Sequence, residues 1–339
     1  MQSKPVAISV FLVACIPVWA DDISRTASGN PDFSGTYDVA SLTPWQRPRE
    51  LGNTQQLSAE QARVREQAAF DRVAAGDARS DPERGAPEKG GNIGFYNFGW
   101  LDLGVSVVKI DGKYRTSIIV DPPDGRLPPL SEAGKARRAV LQPATSSYKN
   151  DGTAWWLAEG ADPYDDPEGL TLGDRCIYHR GATVPVQPRA YNNMKTIVQT
   201  GSHVLIHIEW MHWARIVRLD SQHLPSEIRS LAGDSIGWWE DDTLVVETTN
   251  FLDRPGVPRE DLRVVERFSA TDTDSLLYRF TVYDPDYTVP YSGEYPWPKS
   301  DLKSYEYACH EGNYSMANTL RGARQLEREW IEQHGEPKG

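Results

Sequence analysis

The stretches Ser235-Ile-Gly-Trp-Trp-Glu-Asp-Asp-Thr-Leu-Val-Val-Glu-Thr-Thr-Asn-Phe251 and Leu262-Arg-Val-Val-Glu-Arg-Phe-Ser-Ala-Thr-Asp-Thr-Asp-Ser-Leu-Leu-Tyr-Arg-Phe-Thr-Val-Tyr283 decide the fold class. Both are rich in β-branched and aromatic residues. Each is split by a short polar turn, at Asp241-Asp242 in the first and between Thr271 and Asp274 in the second. Each therefore predicts two antiparallel strands joined tightly. Upstream, residues 203–219 predict one long strand, and Asp111-Gly112 separates two more strand candidates, 105–110 and 114–120. Pro122 and Pro123 end the second of these, because prolines cannot continue a ladder. Several strands joined by tight turns predict a mainly β chain, an antiparallel sandwich or barrel.

A few helices border this β region. Ser58 and Gln61 form a capping box that opens a helix through Ala62, Val64, Ala68, Ala69, Val73 and Ala74 to Gly76. A short helix is expected over 131–140, and a terminal one over 315–333 that packs across one open end. Residues 21–92 read as a lead-in strand, a helix and a charged, Gly- and Pro-rich loop. Residues 93–339 read as a β-barrel domain with a C-terminal helix, with one continuous domain over 30–339 as the alternative.

The first twenty residues carry a different signal. Lys4 precedes an apolar run from Val6 to Ile16, then Pro17 and a small-residue site ending at Ala20, which is the pattern of a secretory signal peptide. A periplasmic or secreted location is expected, with a lipid anchor through Cys15 as the alternative. Without the leader two cysteines remain, Cys176 and Cys309, an even pair in an oxidising compartment. A disulfide between them is expected, with two buried free thiols as the other reading. The chain has formal charge −12, and losing Lys4 makes it −13. That acidity argues against a nucleic-acid partner or an anionic membrane surface, both of which are held by clustered Lys and Arg. No run after the leader reaches the roughly 18 apolar residues of a membrane-spanning helix. Oligomeric state is not legible.

Candidate site residues are polar groups placed on apolar strands. In a continuous strand over 203–219, period 2 puts His203, Leu205, His207, Glu209, Met211, Trp213 and Arg215 on one face, and a core face including His212 on the other. His207 and Glu209, two apart, suit a general acid/base pair or two metal ligands. No further His-x-His or His-x-x-x-His completes a metal site, so no metal and no cofactor is expected. The plainer alternative is a solvated face with an ion pair to Arg215. His212 reads as a core histidine unless a bulge shifts the register.

A second constellation is Tyr305-Glu-Tyr-Ala-Cys-His-Glu-Gly-Asn-Tyr314. If Cys309 bridges Cys176, then Tyr307, His310, Glu311 and Asn313 are pinned beside Arg175; the alternative is a helix cap and disulfide anchor without chemistry. Tyr191, Asn192 and Asn193 form either a turn or a binding group. Trp238 packs a hairpin or floors a pocket. Arg115, Asp121, Asp124 and Arg126 bracket the Pro-rich turn as structural groups.

The segments Arg115–Arg126, Gly233–Phe251 and Tyr305–Tyr314 resemble those of a large family of exported bacterial proteins described mainly as hypothetical, a likeness that implies export and no particular activity. The strand pattern is also similar to lipocalin-type barrels, including carotenoid hydratase-like enzymes, which implies a lipocalin-like barrel or double barrel with peripheral helices.

Together these residues lead to the expectation of an exported enzyme using cofactor-free acid/base chemistry, a lyase, hydratase or isomerase, on a small, partly apolar, aromatic or terpenoid substrate. In that scheme Glu209 or Glu311 is the base, His207, His212 or His310 the acid, and Tyr307, Asn193 and Arg215 orient the substrate. A non-catalytic ligand-binding protein is the first alternative and a cell-surface interaction module the second. No nucleotide-binding fingerprint and no nucleophile elbow occurs.

Overall fold

A computed structural model describes residues 23–76, 101–141, 152–160, 163–179, 182–254 and 257–336, with 79, 82, 83 and 85. The signal-peptide reading at Lys4, Cys15 and Ala20 lies outside these residues, as does most of the loop expected over 77–92. In chain order the strands are β1 (Gly35–Asp38), β2 (Gln56–Leu57), β3 (Lys109–Ile110), β4 (Lys113–Arg115), β5 (Ile119–Asp121), β6 (Met194–Gln199), β7 (His203–Ile208), β8 (Trp213–Leu219), β9 (Asp234–Glu240), β10 (Thr243–Thr249), β11 (Phe251–Arg254), β12 (Val257–Arg259), β13 (Arg263–Asp272), β14 (Ser275–Tyr283) and β15 (Tyr291–Pro298). The α-helices are α1 (Ala59–Gly76), α2 (Glu132–Leu141), α3 (Trp155–Glu159), α4 (Cys309–Gly312) and α5 (Tyr314–His334).

The expected mainly β architecture is present as one curled half-barrel sheet, in the order β1-β6-β7-β8-β9-β10-β13-β14-β15-β5. Every pairing in it is antiparallel except β8 with β9. The two edges approach each other, since Tyr37 of β1 bridges Lys299 just past β15. The hairpins at Asp241-Asp242 and Asp272–Ser275 form as expected, with Thr243 opposite Glu240 and Asp272 opposite Ser275. The Ser58–Gln61 capping box closes in both directions, at 3.1 and 2.8 Å. Helix α5 packs on the 154–164 segment, where Trp156 Nε1 donates to Glu327 at 2.9 Å.

Two of the expected strands are broken. The long strand over 203–219 is two strands: the chain turns at Trp210–His212, and Ile208 pairs with Trp213. Met211 (φ 62°) and His212 (φ 42°) take left-handed backbone angles, which non-glycine residues seldom adopt and which reverse the chain here. The alternation therefore resets, and Arg215 lies opposite Ile206 on the core side, not beside His207. The strand expected over 114–120 breaks at Thr116–Ile118, so that β4 and β5 belong to different sheets. Strand β15 forms despite Pro296 and Pro298. Its other neighbour, β5, pairs only at Ser292 and Gly293, so the proline-bearing end has no partner on that side to miss an N–H.

The concave side of the sheet is filled. Residues 182–186 run through the core, all buried, and polar side chains of the surrounding strands hold their backbone. Tyr278 Oη accepts the Val186 N–H at 3.0 Å, Tyr295 Oη donates to the Val186 carbonyl at 2.8 Å, and Arg215 donates to the Thr183 carbonyl at 3.3 Å. Arg215 also grips Glu266 with two nitrogens, at 3.1 and 2.6 Å, and Tyr278 donates to the same carboxylate at 2.7 Å. Burial, and then the Glu266 charge, push the Tyr278 pKa well above its ordinary value, so the hydroxyl stays a donor. Removing one partner of such a pair strands a buried charge, which costs about 3–5 kcal/mol. Arg215→Met is accordingly expected to lower unfolding stability in chemical denaturation by about that amount, and the double variant Arg215→Met/Glu266→Met by less.

Candidate functional site

The groups that converge lie at one rim of the half-barrel, where β6, β7 and the turn before β8 end. Asn192 (φ 56°) turns the chain into β6; asparagine tolerates this conformation better than most residues. Asn193, fully buried, ties the segments around Asp102 and Arg189 together. Its Oδ1 accepts the Arg189 N–H at 2.7 Å, and its Nδ2 donates to Asp102 Oδ2 at 3.0 Å and to the Asp102 carbonyl at 2.7 Å. Asp102 is held there because Gly104 (φ +69°) packs against Ala40 and Ser41, where a Cβ would come within 2.5 Å of the Ser41 nitrogen.

Glu209 is buried at the end of β7. Both of its oxygens accept backbone N–H groups, from Met194 at 3.2 Å and from Tyr305 at 2.8 Å. It ties β6, the turn and the 305 segment together, which makes it a positioning residue. Lys195 stands beside it at 1 % exposure, on the face of β6 opposite to the one His207 occupies on β7, since Lys195 pairs with Ile208. Its Nζ reaches only the carbonyls of Met194 and Asn192, at 3.3 and 3.4 Å, and forms no ion pair among the described residues. Burial pushes the Lys195 pKa down to about 7 against the opposing charges of Glu209, Asp38 and Asp102. Burial, then Asp38, raises that of Asp102, while the Asn193 hydrogen bond opposes. Burial also lowers that of half-buried His207, with Glu209 opposing and Lys195 and His212 adding.

An aromatic wall borders these groups. Tyr191 and Tyr307 lie nearly parallel, 9° apart with centroids at 6.3 Å, and both pack on the buried cluster of Ala182, Trp210 and Met211. The Arg189 guanidinium covers the Trp210 ring at 4.5 Å. His212, expected in the core, is exposed at the turn, with Nδ1 3.2 Å from the Tyr307 carbonyl oxygen. It was displaced from the core face by the same chain reversal that moved Arg215.

The structure thus brings together Tyr191, Asn192, Asn193, His207, Glu209, His212 and Tyr307. Arg215 is committed to Glu266 in the interior. The Cys176–Cys309 disulfide forms, and Asn313 donates to the Asp174 carbonyl beside it at 2.6 Å. Arg175 pairs with Glu168 at 3.4 Å, and His310 and Glu311 are exposed on α4. Trp238 packs along the outside of its hairpin, donating to Glu240 at 3.0 Å. Arg115 pairs with Glu294, and Arg126 donates to the Arg47 and Pro48 carbonyls, both structural roles. Among the described residues no group of three or more His, Cys, Asp or Glu is arranged to hold a metal.

Sequence reasoning missed Lys195, Asp102 and Arg189. The available signal for Lys195 was the Met-Lys-Thr-Ile-Val-Gln run, whose β propensity places one lysine among apolar neighbours.

Compared with protein-family models, curated proteins and solved structures, the chain matches none.

The depressed Lys195 pKa fixes the sign of a pH effect. Between about 7 and the ordinary lysine value the unfolded chain binds one more proton at this site, so the Lys195 contribution to stability rises with pH across that window and is flat below it. The difference in unfolding free energy between the native protein and Lys195→Met should therefore grow in favour of the native protein from pH 6.5 to pH 10, by on the order of several kcal/mol. Denaturation curves of both at each pH check this.

Proposed function

We propose that the protein is an exported enzyme that moves protons on a small, partly apolar molecule at this rim without a cofactor, as a lyase, hydratase or isomerase does. What supports the reading is one observation: around Lys195, acid and base groups are shifted in opposite directions within one neighbourhood, Asp102 upward and Lys195 and His207 downward. Burial thus draws an acid and two bases towards one another, and groups brought closer in proton affinity can exchange protons at one pH. In the proposed scheme neutral His207 takes and returns the proton, Glu209 fixes the backbone beside it, and Lys195 and Asp102, on the other face of the sheet, set the field in which it titrates. Tyr191 and Tyr307 hold the apolar part of the substrate. Export is supported by the disulfide, and no helix among the described residues is long and apolar enough to cross a membrane.

Proton transfer is visible without knowing the net reaction. Incubated in D2O with pooled small ketones, enols and unsaturated acids, the protein should wash deuterium into carbon positions of at least one compound, read by mass spectrometry. His207→Gln should slow this by about 10²-fold or more. Full exchange in His207→Gln refutes the assignment. Absence of exchange in the native protein favours the ligand-binding alternative.

A further inference from the structure

At the end of the half-barrel opposite the rim, the lead-in segment closes over the sheet. The pairing of β1 with β6 fixes the direction: Asp38 lies against Met194 at the rim, and Gly35 against Ile197 at the far end. Before Gly35 the chain from Ile23 to Phe33 is pinned at several points. Arg25 grips Asp242 with two nitrogens, both at 2.9 Å, and the Asp32 N–H ends on the Ser24 carbonyl at 2.7 Å. Gln199 accepts the Phe33 N–H and donates to the Pro31 carbonyl at 3.1 Å. With the β13–β14 hairpin and Lys299, this segment walls a cavity of about 160 Å³, far more room than one water needs.

Part of the wall is apolar, from Ile23, Phe33, Ala270 and Leu276. Phe33 is fixed against the Trp239 ring, with centroids 5.4 Å apart, and Tyr37 Oη donates to the Phe33 carbonyl at 2.7 Å. Burial, then the Asp32 charge, raises the Tyr37 pKa, so this hydroxyl stays a donor. Charge makes up another part, from Lys299, Asp32 and Asp272. Each carboxylate spends Oδ1 on a turn N–H, Asp32 on that of Ser34 at 2.9 Å and Asp272 on that of Asp274 at 2.8 Å. Lys299 is tied through its backbone, whose N–H donates to the Asp274 carbonyl at 2.7 Å. Its Nζ and the two Oδ2 atoms take no hydrogen bond and form no ion pair among the described residues. The Lys299 side chain lies beside Gly35, where a Cβ would stand 3.8 Å from Lys299 Cε and 3.9 Å from Tyr37 Oη.

Opposite charges that line one small cavity without touching suit a ligand carrying both signs. A ligand of a single sign meets attraction from one side and repulsion from the other. An ammonium has three donors to share between two carboxylates, and a carboxylate complements a lysine. We infer that this cavity binds a free α-amino acid with an apolar side chain, its ammonium between Asp32 and Asp272, its carboxylate on Lys299 and its side chain against Phe33 and Leu276. The site is separate from the rim and does not rest on the acid/base reading.

The test is calorimetric titration of the protein with L-leucine. The controls are 4-methylpentanoate, which lacks the ammonium, and 3-methylbutan-1-amine, which lacks the carboxylate. Leucine should bind about 10-fold or more tightly than either. Lys299→Gln should weaken leucine binding about 10-fold and leave the amine as it was. Asp32→Asn keeps the Oδ1 acceptor of its turn; it should weaken leucine by a similar factor and leave 4-methylpentanoate no weaker. Neither side chain has an ion pair to lose, so both variants should keep the native Tm, and His207→Gln should bind leucine as the native protein does. No measurable binding of leucine, equal affinity for all three compounds, or full leucine affinity in Lys299→Gln or Asp32→Asn would each overturn the inference. Tighter binding of glucose than of leucine would overturn it in favour of a neutral polyol.

Discussion

The pairing of Arg215 with Glu266 inside the curled sheet is the interaction on which the rest of this structure depends. Neither charge is exposed, and each is acceptable there only because of the other and because Tyr278 and the Thr183 carbonyl take up further valences. The same groups, with Tyr295, hold the backbone of residues 182–186 in the concavity. A sheet of this curvature encloses space that lipocalin-type barrels leave to a ligand; in this chain a polypeptide segment and an ion pair occupy it. The candidate groups lie instead at the rim, where the strands end.

Two different electrostatic solutions stand side by side. In the interior, charge is neutralised by direct bidentate contact. At a second buried position Arg259 does the same with Asp284 and Asp286, both at 2.5 Å, and Arg137 reaches Asp253 at 2.9 Å, which fastens α2 to β11 and to the end of β14. At the rim, Lys195 is surrounded by the fields of three carboxylates and touches none of them. Contact holds protonation states fixed, whereas a charge balanced at a distance is left close to its titration point. That contrast separates the structural ion pairs from the candidate site.

The β class and the hairpins were legible because their signals are local: Asp-Gly, Asp-Asp and Thr-Asp turns between β-branched runs act over four residues. What was not legible depends on tertiary context. The turn at Trp210–His212 contains no Gly, Pro or Asn; the packing of Trp210 and Met211 and the His212 N–H bond to the Glu209 carbonyl at 2.9 Å maintain its left-handed residues. Missing that turn put Arg215 on the wrong face and His212 in the core. Of the candidate site, polar residues interrupting apolar strands pointed to His207 and Glu209, and the unusual composition around Tyr307 pointed to the segment that meets them. The roles did not follow: Glu209 looked like a base, and the structure adds that each of its oxygens accepts a backbone N–H that ties it into the fold. Lys195 and Asp102 come from segments more than ninety residues apart, and no periodicity within either one signals their meeting through Asn193.

Native-state hydrogen exchange at the Val186 amide tests the filled interior most directly, because that N–H is donated to the buried Tyr278 hydroxyl. If residues 182–186 are a permanent part of the core, the Val186 amide exchanges only through global unfolding, with the same opening free energy as the central amides of β10 such as Val245 and Val246. Exchange at a free energy well below that of β10 would mean that the segment leaves the concavity while the sheet stays folded. The interior would then be a gated cavity, and the assignment of chemistry to the rim would be wrong.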